Sequence, residues 1–183
     1  MSALTPPRYD LWPVSMLHAL RLRGALLRCG PGFRGAAWPA GPHVRLAAIG
    51  RWLDDKHCAA FLTAAWVWEA IDDPGSPLRV AGPAGSRRHS QSPELRRCGL
   101  RLRSDETVRL GEFQVTTRLR TLIDLLHDEH HYGAREAQAS HGLVTMILGA
   151  PDCTPEKLQQ LVHERGKPHR LLAMQRLGAI LDS

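Results

Sequence analysis

The side chains with the types and spacing to do chemistry lie mainly in one run, where His127, Asp128, Glu129, His130 and His131 follow one another and His141 stands further on. Ligand pairs on a helix recur three or four residues apart, as His127 and His130 or His127 and His131 do. There is no HExxH, however, and no third ligand whose position the spacing fixes. The run reads as a solvated, acidic and His-rich start to a helix, with no metal and no cofactor. Nucleophilic chemistry has less to stand on. The sequence holds no GxSxG, no GxxxxGK[ST] and no CxxC, and Cys29, Cys58, Cys98 and Cys153 read as packing residues. The neighbouring carboxylates Asp54 with Asp55 and Asp72 with Asp73 read as helix terminators or surface. A non-enzymatic protein is expected.

What the chain does offer is arginine. It carries 24 Lys and Arg against 18 Asp and Glu, a net charge of +6, and only three of the basic residues are Lys. The excess sits at the front: residues 1–51 hold seven Arg against Asp10 alone, while residues 104–183 hold nine basic and eleven acidic residues. A basic front and a mildly acidic back suit a polyanion-binding end and a separate protein-contacting or solvated end. Codon bias toward Arg is the bland account of the same numbers. Arg21, Arg23, Arg28 and Arg34 are the candidate phosphate contacts. A second candidate contact is the Gly-, Pro- and Ser-spaced stretch around Arg87 and Arg88, which also reads as a solvated hairpin connection.

Elements must position these groups. Residues 1–12 lack periodicity and read as an extended arm. Pro13 at a first turn, with Val14, Leu17 and Leu20 on one face, predicts a short helix that ends near Gly24. ALLRC (25–29) and FRGAAW (33–38), parted by Gly30, Pro31 and Gly32, predict a hairpin. A helix followed by an Arg-rich ribbon has the form of the end of a winged helix-turn-helix, whose helix enters the major groove while hairpin Arg touches phosphate. Two further helices would precede it in a complete module, so the element is shortened.

After the linker at 39–42, apolar spacing predicts a helix over 43–55, then a short apolar run at 58–62 and a helix capped by Thr63 and stopped by Asp72 to Gly75. Trp66 and Trp68, two apart, point about 200° from each other on a helix. One belongs to the core, and the other needs a second surface, in this chain or on a partner. Strands are expected at 77–82, at 98–103 and at 107–110. Phe113 to Val115 then extends into Thr116 and Thr117, either of which can cap the helix that carries Leu119, Leu122, Ile123 and Leu126 on one face. Arg120 and Asp124, four apart, form a pair on another face. Three helices follow: one containing Gly142 in its middle, one opened by Thr154, Pro155 and Glu156 and ended at Gly166, and one over 168–181. The class is α+β: a truncated winged-helix-like element in an arm-plus-front segment (1–42), a mixed α/β body (43–126) and a helical C-terminal part (127–183). With no long apolar run and no secretory signal at its start, the chain is expected to be cytoplasmic and to have no membrane partner.

The order of these parts resembles the AbiEi-type antitoxin family of type IV toxin-antitoxin systems, and in particular its short, Arg-rich actinobacterial members. That family carries a Val-Thr-x-x-x-Arg-Thr-x-x-Asp-Leu motif, matched here by Val115, Thr116, Arg120, Thr121, Asp124 and Leu125. Its Ala-Ala-x-x-x-Gly helix is matched by Ala64 and Ala65, with Glu69 near the place of the glycine. The resemblance implies a DNA-binding front, a body that supports antitoxicity, transcription regulation at its own promoter, and a nucleotidyltransferase-like toxin as partner. The functional expectation is an antitoxin-like DNA-binding regulator; the alternative is a protein-interaction module using the front hairpin and an exposed Trp66 or Trp68.

Overall fold

The structure is a computed structural model that describes residues 5–53, 57–82, 93–129, 131–165 and 169–183. Its front is α1 (Val14–Leu22) and the antiparallel hairpin of β1 (Leu26–Cys29) and β2 (Gly32–Gly35). Gly24 ends the helix as its position suggested: with φ +74° it lets Ala25 N–H reach back to the Leu20 carbonyl at 3.0 Å, a turn that L side chains resist. The front is seated on α2 (Pro42–Ala48), where a Cβ on Gly32 would come within 1.9 Å of the Ala48 carbonyl oxygen. Its turn is seated too, because a Cβ on Gly30 would lie 2.8 Å from the Trp66 ring. The arm is likewise tied down: Arg8 pairs with Asp10 at 2.5 Å and with Glu112 at 2.6 Å and lies over the Phe113 ring.

The body is a five-stranded mixed sheet in the order β5-β4-β3-β7-β6. Its centre, β3 (Cys58–Ala59), is fully buried and pairs parallel with β7 (Phe113–Thr116) and antiparallel with β4 (Leu78–Ala81). The expected strand at 107–110 is β6 (Thr107–Leu110), and it pairs antiparallel with β7 as a hairpin about Gly111. The strand expected over 98–103 is displaced: β5 is Leu95–Cys98, and it runs parallel to β4. Parallel neighbours are not the two arms of a hairpin, so the hairpin reading of this strand pair does not hold. Arg96 and Arg97 stand in this strand. Arg87 and Arg88 lie outside the described residues, as do Asp54, Asp55, His130, Gly166 and Pro168.

Helices α3 (Phe61–Val67), α4 (Arg118–Leu126), α5 (Ala134–Leu148) and α7 (Arg170–Leu181) pack together, and α6 (Pro155–Glu164) packs on α7. The helix expected over 43–55 stops sooner, as α2 and a single 3₁₀ turn at Gly50–Trp52. Thr63 does not cap α3. The helix begins two residues earlier, and the Thr63 hydroxyl, now inside it, accepts from Arg79 N–H at 2.8 Å, tying α3 to β4. Gly142 is a close-packing residue: a Cβ there would meet the Ala70 carbonyl oxygen at 2.7 Å, so it sets how near α5 approaches the end of α3. Thr154 caps α6 through Lys157 N–H, with Pro155 in the first turn. One contiguous core runs from Cys29 to Leu177 through all three expected segments. Among the described residues no helix is long and apolar enough to cross a membrane.

Candidate nucleic-acid interface and the buried ion network

Arg21 lies in the last turn of α1 and Arg23 closes it as the C-cap. Both are exposed, and neither has an acidic partner among the described residues. Arg28 is exposed on β1; its guanidinium sits 4.7 Å from the Phe33 ring and donates weakly to the Pro31 carbonyl at 3.4 Å. These three share one helix-and-strand unit. Arg34 differs: it is half-buried and donates to the Trp38 carbonyl at 2.5 Å, so its guanidinium holds the chain beyond the hairpin.

Deeper in, the Phe113 to Leu126 stretch folds as its residues suggested. Thr117 is the N-cap of α4 and accepts from Arg120 N–H at 3.2 Å. Thr116 and Thr121 join hydroxyls at 2.7 Å, locking the strand-to-helix junction. Arg120 Nε donates to Asp124 Oδ2 at 2.8 Å, as the four-residue spacing indicated. Both side chains are buried, so this face of the helix is inside the protein. Burial makes further partners necessary, since an unpaired charge there is costly. They come from Glu106, whose Oε2 accepts from Arg120 and from Arg103 N–H at 3.0 Å, and whose Oε1 accepts from Arg165 at the end of α6. Burial pushes the Glu106 carboxyl up, but the Arg103 N–H, Arg120 and Arg165 together hold it below the usual carboxylate range. Glu106 and Arg165 carry no spacing that sequence could read; their pairing is made by chain reversal alone.

Both tryptophans are buried within this chain, Trp66 to 2% and Trp68 to 9% exposure, so neither offers a face to a partner. The second surface required for Trp68 is β7: its Nε1 donates to the Thr116 carbonyl at 2.7 Å. Arg45 of α2 donates to the Trp66 and Ile71 carbonyls at 2.7 and 3.1 Å, a cation at the C-terminal end of α3. The histidines of the chemical run make separate bonds. His127 Nδ1 meets the Ile123 carbonyl at 2.8 Å, and His131 Nδ1 meets Asp128 Oδ1 at 3.0 Å. Among the described residues no three His, Cys, Asp or Glu could hold one metal ion. Cys29 and Cys58 are buried, and burial pushes the Cys58 thiol up to about 12, which keeps it protonated and unreactive.

No family model matches this chain, and no curated protein matches it. Among solved structures, the crystal structure of the RV2827C protein from Mycobacterium tuberculosis is similar at 18% identity and a TM-score of 0.48, over 92% of this chain. This chain spans 64% of that chain's length. A likeness at this level says nothing about activity.

Proposed function

We propose that the protein is a non-enzymatic, antitoxin-like transcription regulator that contacts DNA through α1 and the β1–β2 hairpin. The observation that carries the reading is the state of Arg21, Arg23 and Arg28. All three are exposed on one helix-and-hairpin unit, and no acidic residue among those described neutralises them. Exposed guanidinium groups with no acidic partner suit phosphate contact. The resemblance to AbiEi-type antitoxins adds support at Glu69. It is the C′ residue of α3, with φ +69°, where its N–H reaches the Trp66 carbonyl and Ala70 N–H reaches the Ala65 carbonyl. That left-handed helix end favours glycine, the residue the family carries near this place.

The test is a mobility-shift titration of the intact chain on its own upstream DNA and on scrambled DNA of equal length, at two salt concentrations. Tighter, salt-sensitive binding to the upstream fragment is expected, and each lost phosphate contact should flatten the log–log salt slope by about 0.9. Arg21→Ala, Arg23→Ala and Arg28→Ala together should abolish the shift. Equal weak binding to both DNAs, or none, overturns the reading.

A second reading, protein interaction, has its own observation. Among the described residues, the exposed large apolar side chains are Leu11, Trp12, Val14, Met16, Leu22, Leu27 and Leu171, and all but the last belong to this same front. Leu22 is 89% and Leu11 72% exposed, and α1 buries only Leu17. Apolar exposure concentrated like this marks contact surfaces. The partner implied by the resemblance is a nucleotidyltransferase-like toxin. Loss of a co-purifying complex on Leu22→Asp, with the arginine substitutions silent, would favour this reading over DNA binding.

A further inference from the structure

A cleft of about 450 Å³ opens between the β4–β5 edge of the sheet and the end of α4, far in sequence from the front arginines. Its basic wall is set by strand register. Arg79 of β4 and Arg96 of β5 are direct partners across a parallel pair, which places their Cα atoms about 5 Å apart with side chains on the same face. Arg97 and His169 also line the cleft. Arg79 is preorganised: its guanidinium lies 3.6 Å from the centre of the Phe61 ring, and its Nη2 pairs with Asp128 Oδ2 at 2.7 Å. Its buried Nε makes no hydrogen bond to any described residue. Arg96 is exposed, with no acidic partner among the described residues.

The charges do not cancel. Of the lining carboxylates, Asp124 is committed to Arg120 and Glu129 lies 3.1 Å from His169, so that Arg96 of the basic wall is left with no acidic partner among the described residues. Asp128 is engaged twice, by Arg79 and by His131. Burial pushes its carboxyl up, yet hydrogen bonds from Arg79 and His131 hold it low, so it orients Arg79 as an anion. The backbone is also unusual here. Among the described residues, the non-glycine positions with positive φ are Phe61, Glu69 and His169, and the cleft holds two of them, Phe61 at +51° and His169 at +67°. Left-handed backbone at non-glycine residues gathers at binding sites, because it persists only where surrounding structure over-determines it.

We propose that this cleft binds the phosphate group of a small phosphate monoester. Two guanidinium groups that line one cleft from adjacent strands suit the several oxygens of a dianion better than one carboxylate, which a single arginine grips bidentately. The cleft is larger than a bare phosphate, and Cys98 and Leu100 supply an apolar wall for the organic part. This site is independent of DNA contact by the front.

The experiment is calorimetric titration of the full chain with inorganic phosphate, with a nucleoside 5′-monophosphate and with a short 5′-phosphorylated oligonucleotide, at constant ionic strength. Saturable binding of inorganic phosphate is expected, with the monophosphate tighter. Arg96→Gln, at an exposed position where folding is safe, should weaken both about tenfold, and Arg23→Gln on the front should leave both unchanged. Preference for the oligonucleotide retained in Arg23→Gln and lost in Arg96→Gln assigns the phosphate to a nucleic-acid end; preference for the mononucleotide assigns it to a small molecule. Absence of saturable binding, or binding that Arg96→Gln leaves intact, overturns the proposal.

Discussion

In the body, the Arg120 side chain is 5% exposed and is held by Asp124, Glu106 and, at 3.4 Å, the Arg101 carbonyl. In the front, Arg21 and Arg23 stand in water on a helix that buries one side chain. The residue type is the same, and its environment assigns opposite roles. A buried guanidinium must be matched by carboxylates already in the chain, which uses its charge up in holding α4, the turn that precedes β6 and the end of α6 together. An exposed one contributes little to stability and keeps its charge for a ligand. Counting arginines therefore says less than asking which are spent inside.

Substitutions can break that contrast. Arg120→Ala should have the largest effect, costing about 3–5 kcal/mol by leaving Asp124 and Glu106 buried without it, read as a lowered midpoint in chemical denaturation. An effect under about 1 kcal/mol, the size of an exposed pair, would erase the distinction. The same network gives a pH signature. The Glu106 carboxyl is lower in the folded protein than in the unfolded chain, so its contribution is present above the ordinary carboxylate pKa and disappears as pH falls through the folded value. Melting temperature should drop in that acid range for the native protein, and Glu106→Gln should be less stable at neutral pH with a shallower acid drop.

Next in size is Gly142→Val, which forces side-chain atoms against the Ala70 carbonyl and should cost about 1–3 kcal/mol of stability. Thr117→Ala removes the cap of α4 and should cost about 1 kcal/mol, measured by the same unfolding curves. Smallest is the front: Arg21→Ala with Arg23→Ala should move stability by no more than about 0.5 kcal/mol each while weakening salt-sensitive DNA binding. A large stability loss there would mean that the front arginines are structural after all.

Much of the candidate front was legible because it is local. The helix stop at Gly24, the hairpin turn around Gly30 to Gly32 and the exposure of Arg21, Arg23 and Arg28 depend on residues a few positions apart. Arg34 was misjudged because its acceptor, the Trp38 carbonyl, comes from the way the chain leaves the hairpin. Helical geometry gave one of Trp66 and Trp68 to the core and left the other to a second surface, in this chain or on a partner. Tertiary packing buried both, since β7 offers Trp68 a carbonyl and the hairpin turn covers Trp66. Thr63 looked like a cap by type, but the helix begins at Phe61 and its hydroxyl serves β4.

By itself the sequence determined the α+β class, the β7-to-α4 junction with a threonine cap and the Arg120–Asp124 pair, the strand at 107–110 and the start of α6. Each is fixed by hydrogen bonds or spacing within one turn or one tight connection. Only the tertiary structure decided that β5 runs parallel to β4, that Glu106 and Arg165 complete the Arg120 network across 59 residues of chain, and that Arg79 and Arg96 line one cleft. Those outcomes rest on strand order and on the desolvation of charges, and both are set by the whole packed core.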